Sequence, residues 1–456
     1  MISFLPLGGA DEIGASCFYL NISGTGILLD CGIHPRKKGI KALPNFEILN
    51  ELPLDFVLIS HAHQDHIGSL PFLIQKFPHV IIYSTVQTKE IAEITLHNAI
   101  NILQQNETGE SDFKTYTHEE TDLLVRSMRE VNYNEFVWLS GIRHHSREEI
   151  RVSFKDAGHI LGSAGILIEH AGKKLFYAGD VNVTDQAIMK GAGFSGIRNI
   201  DTLILETTYG STDSSKLGTW QSEQLRFAKA ANKILHEGGS VLVPVFALGK
   251  TQEMVAVVYN LMTEAKLTEA NIYTGGIAKQ ISKLYDRNRF LVNRTDPDLE
   301  LNVIEQIDLS EITDLNEFKK NPGIVLAASG MMIEGTTSFK LADYWLKQEN
   351  FGIFIVGYID EDTPGYKILN SKKGYEIEFG EFGHPQEVKC SIERFYFPSH
   401  SKREDLVGIV KQVNPKRVIL VHGEHDSKDW VGYNILREYS HIKLNSAENL
   451  KSLIFE

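Results

Sequence analysis

His61-Ala62-His63-Gln64-Asp65-His66 follows directly on the apolar run Phe56-Val57-Leu58-Ile59-Ser60, and this junction decides how the chain is read. Residues 55–60 read as a buried β-strand, Gly68 and Pro71 bracket the start of a helix, and the motif falls on the loop between them. Such loops are where active sites collect. A lone histidine is more often a core or surface residue than a ligand. Four imidazole and carboxylate side chains within six residues favour a metal instead, and their crowding favours a metal pair.

Two further ligand candidates stand at predicted strand ends: His159 in Ala157-Gly158-His159-Ile160-Leu161-Gly162-Ser163, and Asp180 in Phe176-Tyr177-Ala178-Gly179-Asp180. Gly158 and Gly179 let the backbone bring a short side chain close to an ion. Around these motifs, residues 1–210 are strand-rich. Hairpins are expected at Gly24-Thr25-Gly26 and near Ala171-Gly172, and a helix start at Thr117-His118-Glu119-Glu120. The pattern suggests a layered αββα sandwich.

From residue 211 the rhythm changes to amphipathic helices alternating with wholly apolar strands at 240–246, 323–328 and 351–357, as in a Rossmann-like parallel sheet. Gly249-Lys250-Thr251 resembles the end of a phosphate-binding loop, but Pro244 stands where that motif needs glycine. The helix N-terminus there could still hold a substrate phosphate. Strand and loop character like that of the first region returns from residue 388, so the second domain reads as an insertion: 1–210, 211–387, 388–456.

A hydrophobic share of 42% and a charged share of 23% over 456 residues describe an ordinary globular chain with room for two or three domains. Met1-Ile2-Ser3-Phe4-Leu5-Pro6 lacks a basic leader, and no apolar run approaches the roughly 20 residues that cross a bilayer, so a cytoplasmic location is expected. Cys17, Cys31 and Cys390 have no paired spacing and are expected to be buried small hydrophobes. The net charge of −13 argues mildly against nucleic acid. Local basic segments offset it: His34-Pro35-Arg36-Lys37-Lys38 with Lys41, Arg143-His144-His145 with Arg147, and Lys402-Arg403.

The motifs together resemble the β-CASP group of metallo-β-lactamase-fold hydrolases, RNA-processing nucleases similar to the cleavage and polyadenylation specificity factor endonuclease subunit. The matching runs are Leu7-Gly8-Gly9-Ala10 with Glu12 and Gly14, Leu29-Asp30-Cys31-Gly32, the His61 cluster, Ala157-Gly158-His159, Gly179-Asp180 and Leu205-Glu206-Thr207-Thr208-Tyr209-Gly210. Others are Val243-Pro244-Val245-Phe246-Ala247, Ala328-Ser329-Gly330-Met331-Met332, Gly357-Tyr358, Phe397-Pro398-Ser399-His400 and Leu420-Val421-His422-Gly423-Glu424.

The resemblance implies an α/β fold, a metallo-β-lactamase αββα sandwich with an inserted β-CASP domain. It implies that His61, His63 and His159 bind one metal, that Asp65, His66 and His422 bind the other, and that Asp180 bridges them. The ions would be two Zn²⁺, with Mn²⁺ as the alternative, since the donors are imidazoles and carboxylates without thiolate. His400 would act as general acid, oriented by Glu206. The implied activity is cleavage of single-stranded RNA by a metal-bridging hydroxide, as an endoribonuclease with 5′-exonuclease action also open. Departures from the family pattern, at Ser401, Lys402, Ser211-Thr212-Asp213 and Pro364, touch RNA contacts rather than ligands. The alternatives are a hydrolase of small esters or phosphodiesters and a catalytically silent RNA-binding subunit. No membrane partner is expected, and a homodimer is compatible with the sequence.

Overall fold

Ser23 and Gly24 take left-handed φ values of 51° and 93°, which lets strand Cys17–Ile22 turn back on Thr25–Leu29 in antiparallel register. Ala171 and Gly172, at 49° and 74°, do the same between Ala164–His170 and Lys173–Tyr177. Both hairpins lie where the glycine signals predict them. The computed structural model describes residues 2–105, 115–139, 149–380 and 383–455.

Contacts divide the chain into two compact units. The first comprises Met1–Thr184, Gly191–Ser214 and His400–Glu456. It holds two seven-stranded sheets. In one, Thr25–Leu29, Phe56–Leu58, Ile81–Thr85 and Arg129–Val131 run parallel. In the other, Lys173–Tyr177, Thr202–Glu206, Arg417–Val421 and Lys443–Ser446 run parallel. Phe4, Phe18 and Phe56 of the first sheet meet Phe154, Ile166, Ile204 and Val421 of the second in one buried cluster. Each such side chain contributes on the order of 2 kcal/mol by burial, against less than about 1 kcal/mol for an exposed ion pair, so packing holds the layers.

Helices cover the outer faces. Leu406, Ile409 and Val410 of helix Arg403–Val413 and Val431 and Ile435 of helix His425–Glu438 pack on Phe176, Leu203, Leu205 and Leu420. Helix His118–Ser127 begins where a helix start is expected, and it does so in a capping box: Thr117 Oγ1 accepts from the Glu120 N–H at 3.1 Å, and Glu120 Oε2 accepts from the Thr117 N–H at 2.8 Å.

The second unit, Asp185–Lys190 with Ser215–Ser399, is built on a six-stranded parallel sheet. Its central strands Val241–Pro244, Gly323–Ala327 and Gly352–Ile355 are fully buried, as expected of apolar runs sandwiched on both faces. Residues 388–399, grouped by the sequence reading with the C-terminal portion, join this unit because Ser391–Arg394 pairs with Gly352–Ile355. Lys250 is buried and donates to the Phe397 carbonyl, so its ammonium is committed within the unit.

Candidate metal centre

Strand Phe56–Leu58 delivers the His61 motif, but helix starts earlier than the sequence implies. Asp65 and His66 lie on a one-turn helix, Gln64–Ile67, rather than on a loop. The turn closes because the Ile67 N–H donates to the His63 carbonyl at 3.0 Å and the Gly68 N–H to the Gln64 carbonyl at 2.8 Å. The other candidates arrive at strand ends of the second sheet: His159 after Ile150–Asp156, Asp180 after Lys173–Tyr177, Glu206 at the end of Thr202–Glu206, and His422 after Arg417–Val421. Gly158 is needed here, since its φ is +66° and a Cβ would lie 2.4 Å from the Ala192 nitrogen.

Every candidate named from sequence converges. Ligand atoms of His61, His63, His159 and Asp180 form one group, and those of Asp65, His66 and His422 a second. Within each group these atoms lie within 4.8 Å of one another. His63 Nδ1 is 3.2 Å from His61 Nε2 and 3.1 Å from His159 Nε2. His422 Nε2 is 3.4 Å from Asp65 Oδ2. Asp180 faces both groups, its Oδ2 at 3.5 Å from His61 Nε2 and 3.4 Å from His66 Nε2, its Oδ1 at 3.5 Å from His422 Nδ1. His400 Nδ1 lies 3.0 Å from Glu206 Oε1, which also accepts from the Val181 N–H at 3.0 Å. Buried Ser401 ties the His400 loop down through its N–H, 2.7 Å from the Val181 carbonyl.

The electrostatics follow from crowding in a largely buried site. Burial, then the neighbouring His66 charge, pushes His61 well below the usual imidazole range, which favours its neutral form. For His66 burial acts in the same downward sense, but Asp180, Asp65 and Asp30 outweigh it and raise the pKa well above normal. Burial also opposes the charge on Asp180, yet His422 and His66 hold that carboxyl well below its usual range. His400 is partly buried, its side chain 14% exposed; desolvation lowers its pKa, and Glu206 overcomes that and raises it.

Do these residues fit a metal? His66 Nε2 and Asp180 Oδ1 are fully buried without a hydrogen-bond partner, a state that costs about 1–3 kcal/mol per atom unless something else engages them. Both point where ligand atoms converge, and the donor set is nitrogen and oxygen. The cluster is therefore able to bind metal, and its donors suit zinc or manganese. All three cysteines are free, buried and outside it, as expected from their spacing.

Asp30, Ser60 and Tyr177 all stand in the quoted motifs without any role assigned from sequence. Asp30 Oδ2 lies 2.8 Å from His66 Nδ1 and accepts from the Ser60 hydroxyl at 2.7 Å and the Tyr177 hydroxyl at 2.6 Å, while Oδ1 accepts from the Ser60 N–H at 2.6 Å. With His66 Nδ1 held by Asp30 in this way, Nε2 is the nitrogen left facing the cluster, where a proton and a metal would compete for it. The available signal was an aspartate closing an apolar strand at Leu29-Asp30. Of the basic segments, Lys37 pairs with Glu12 at 2.6 Å and Arg403 with Asp213 at 2.7 Å, whereas Arg143 to Arg147 lie outside the described residues.

Three domain families match the chain: a metallo-beta-lactamase superfamily domain over residues 19–208, a Beta-Casp domain over 251–368, and a Zn-dependent metallo-hydrolase RNA specificity domain over 385–442. An RNase J-like protein of Methanocaldococcus jannaschii is 30% identical over 422 residues, which cover 91% of each chain. The chain belongs to the β-CASP family of metal-dependent, metallo-β-lactamase-fold hydrolases. Other β-CASP relatives are cleavage and polyadenylation specificity factor 73 of Drosophila melanogaster and Integrator complex subunit 11 of Danio rerio, each 28% identical over 96% of this chain. They are longer: the match covers 62% of the first and 72% of the second, so this β-CASP chain spans about three fifths of the Drosophila protein's length. A crystal structure of a protein of unknown function from Enterococcus faecalis, 13% identical with a TM-score of 0.56, covers both chains fully and shares the fold. No helix among the described residues is long and apolar enough to cross a membrane.

Proposed function

We propose that this protein is a dinuclear, zinc-dependent ribonuclease that hydrolyses phosphodiester bonds of single-stranded RNA. His61, His63 and His159 would hold one cation, Asp65, His66 and His422 the other, with Asp180 between them. The observation that carries this is a pair of buried atoms without a hydrogen bond, His66 Nε2 and Asp180 Oδ1, inside two converging groups of candidate ligands. When bound, such cations polarise a phosphoryl oxygen and bring the pKa of a coordinated water down to roughly 7.

The remaining work falls to the chain's own groups. Glu206 holds His400 by Nδ1 at 3.0 Å and favours its charged form, so the Nε2–H is the proton available to the departing oxygen. Asp30 keeps His66 in one tautomer and Ser60 beside His61, where its hydroxyl lies 3.0 Å from Nδ1. The RNA substrate is supported by the matched RNA specificity domain and by relatives named for RNase J and polyadenylation factors. Endonucleolytic cutting is the primary expectation, with 5′-exonuclease action as a second mode.

The test is cleavage of 5′-labelled RNA by protein loaded with Zn²⁺ or Mn²⁺, with elemental analysis alongside. Wild type is expected to cut, and His63→Ala and His400→Ala to lose activity. Full turnover by His400→Ala would remove that histidine from proton transfer, and a metal-loaded wild type inert on RNA would remove the RNA substrate.

A further inference from the structure

Lys428, on helix His425–Glu438, carries an ammonium that is 3% exposed. A buried cation needs every N–H satisfied, and this one has three acceptors: the Ala10 carbonyl at 3.0 Å, the Ala447 carbonyl at 2.8 Å and Asp11 Oδ1 at 2.7 Å. The two segments so gathered are also tied to each other. The Ala10 N–H donates to Asn449 Oδ1 at 3.0 Å and the Asn449 N–H to Asp11 Oδ2 at 2.9 Å.

Both segments brace the strand end that bears His422. The Gly9 carbonyl accepts the His422 N–H at 2.9 Å, and the Ala447 N–H donates to the Leu420 carbonyl at 3.0 Å. His422 needs bracing. Its φ is +49°, a left-handed conformation uncommon for a residue with a side chain, and such backbone persists where the surroundings over-determine it. The Thr207 N–H, 3.1 Å from the His422 carbonyl, and Thr208 Oγ1, 3.1 Å from Nδ1, complete the clamp.

We infer that Lys428 is a positioning residue for the Asp65, His66 and His422 ligand group, acting through the clamp of residues 9–11 and 447–449 on the His422 backbone. The inference rests on the two-site reading above. Among the described residues Lys428 Nζ bonds only Ala10, Asp11 and Ala447, none of them a candidate ligand, so its removal acts on where the His422 imidazole stands rather than on its chemistry.

Zinc titrations of wild type, Lys428→Met, His422→Ala and His61→Ala test it, together with nitrogen-15 spectra of the histidine rings. Lys428→Met is expected to weaken by about 10- to 100-fold the same binding step that His422→Ala weakens, and to leave the step lost in His61→Ala unchanged. Unchanged affinity at both steps, or equal weakening of both, would overturn the inference, the latter being what general destabilisation gives. A wild type that takes up a single ion would sink the two-site reading alone. The ring spectra would still decide the role of Lys428, since the His422 resonances must move in Lys428→Met while those of His61 stay, and a stationary His422 overturns it. Asp11→Asn, which keeps both carbonyl contacts, is expected to weaken the same step by a smaller factor. It gives the same decision if Lys428→Met does not fold, with unchanged affinity again counting against the inference.

Discussion

Asp30 does for His66 what Glu206 does for His400: a buried carboxylate takes one ring nitrogen and leaves the other to work. Replacing Asp30 by Asn removes the charge that fixes the tautomer, and metal affinity is expected to fall about 10- to 100-fold, measurable by competition with a chromophoric chelator. Glu206→Gln has a different signature. Because Glu206 raises the His400 pKa, neutralising it lowers that pKa, so the charged acid is lost at lower pH. The alkaline limb of kcat/KM against pH should therefore move toward acid, and an unmoved limb would contradict the assignment. The residues that converge on the cluster were legible because four of them crowd six positions and the rest end apolar strands beside glycine or in matching motifs. Asp30 was not, because its role arises only when Ser60, His66 and Tyr177, distant in sequence from it, close around its oxygens.

At the level of elements, the loop holding Cys31 and Gly32 abuts the ligand turn directly. The Cys31 N–H donates to the His66 carbonyl at 2.7 Å, and a Cβ on Gly32 would fall 1.6 Å from the Asp65 carbonyl oxygen. Gly32→Ala must displace backbone that carries two ligands, so it should lower stability by roughly 1–3 kcal/mol and lower zinc content too. Thr117→Ala should cost about 1 kcal/mol through the lost cap while zinc content stays at the wild-type level. Chemical denaturation with elemental analysis separates the two cases. Hairpins and central parallel strands were readable from turn glycines and uninterrupted apolar runs. Ser391–Arg394 was not, since three of the four residues in Ser-Ile-Glu-Arg are polar and the run becomes a strand only because Gly352–Ile355 offers it a free edge. Residues 185–190 likewise join the second unit through Glu253, whose carboxylate accepts from the Ile188 and Met189 N–H groups at 2.8 and 3.0 Å, a long-range capture that no local pattern encodes.

Over the whole molecule, a metal bound at the cluster would couple stability to solution conditions. Cations bound at about 100 times their dissociation constant would add roughly 2.7 kcal/mol per site, so chelation should lower the melting temperature of wild type and leave that of His63→Ala and Asp180→Asn less affected. Protons compete with metal for His66 Nε2, whose pKa is raised well above normal by Asp180, Asp65 and Asp30 against the effect of burial. Lowering the pH fills that lone pair with a proton, so zinc affinity should fall as pH falls, which isothermal titration at several pH values can measure.

His422 stands 357 positions beyond Asp65, with which it shares a ligand group. During synthesis a ribosome releases the first members of that group long before the last. On the proposed ligand set, a growing chain holds an unfinished centre until His422 has emerged, so this half of the site cannot assemble segment by segment as the chain is made.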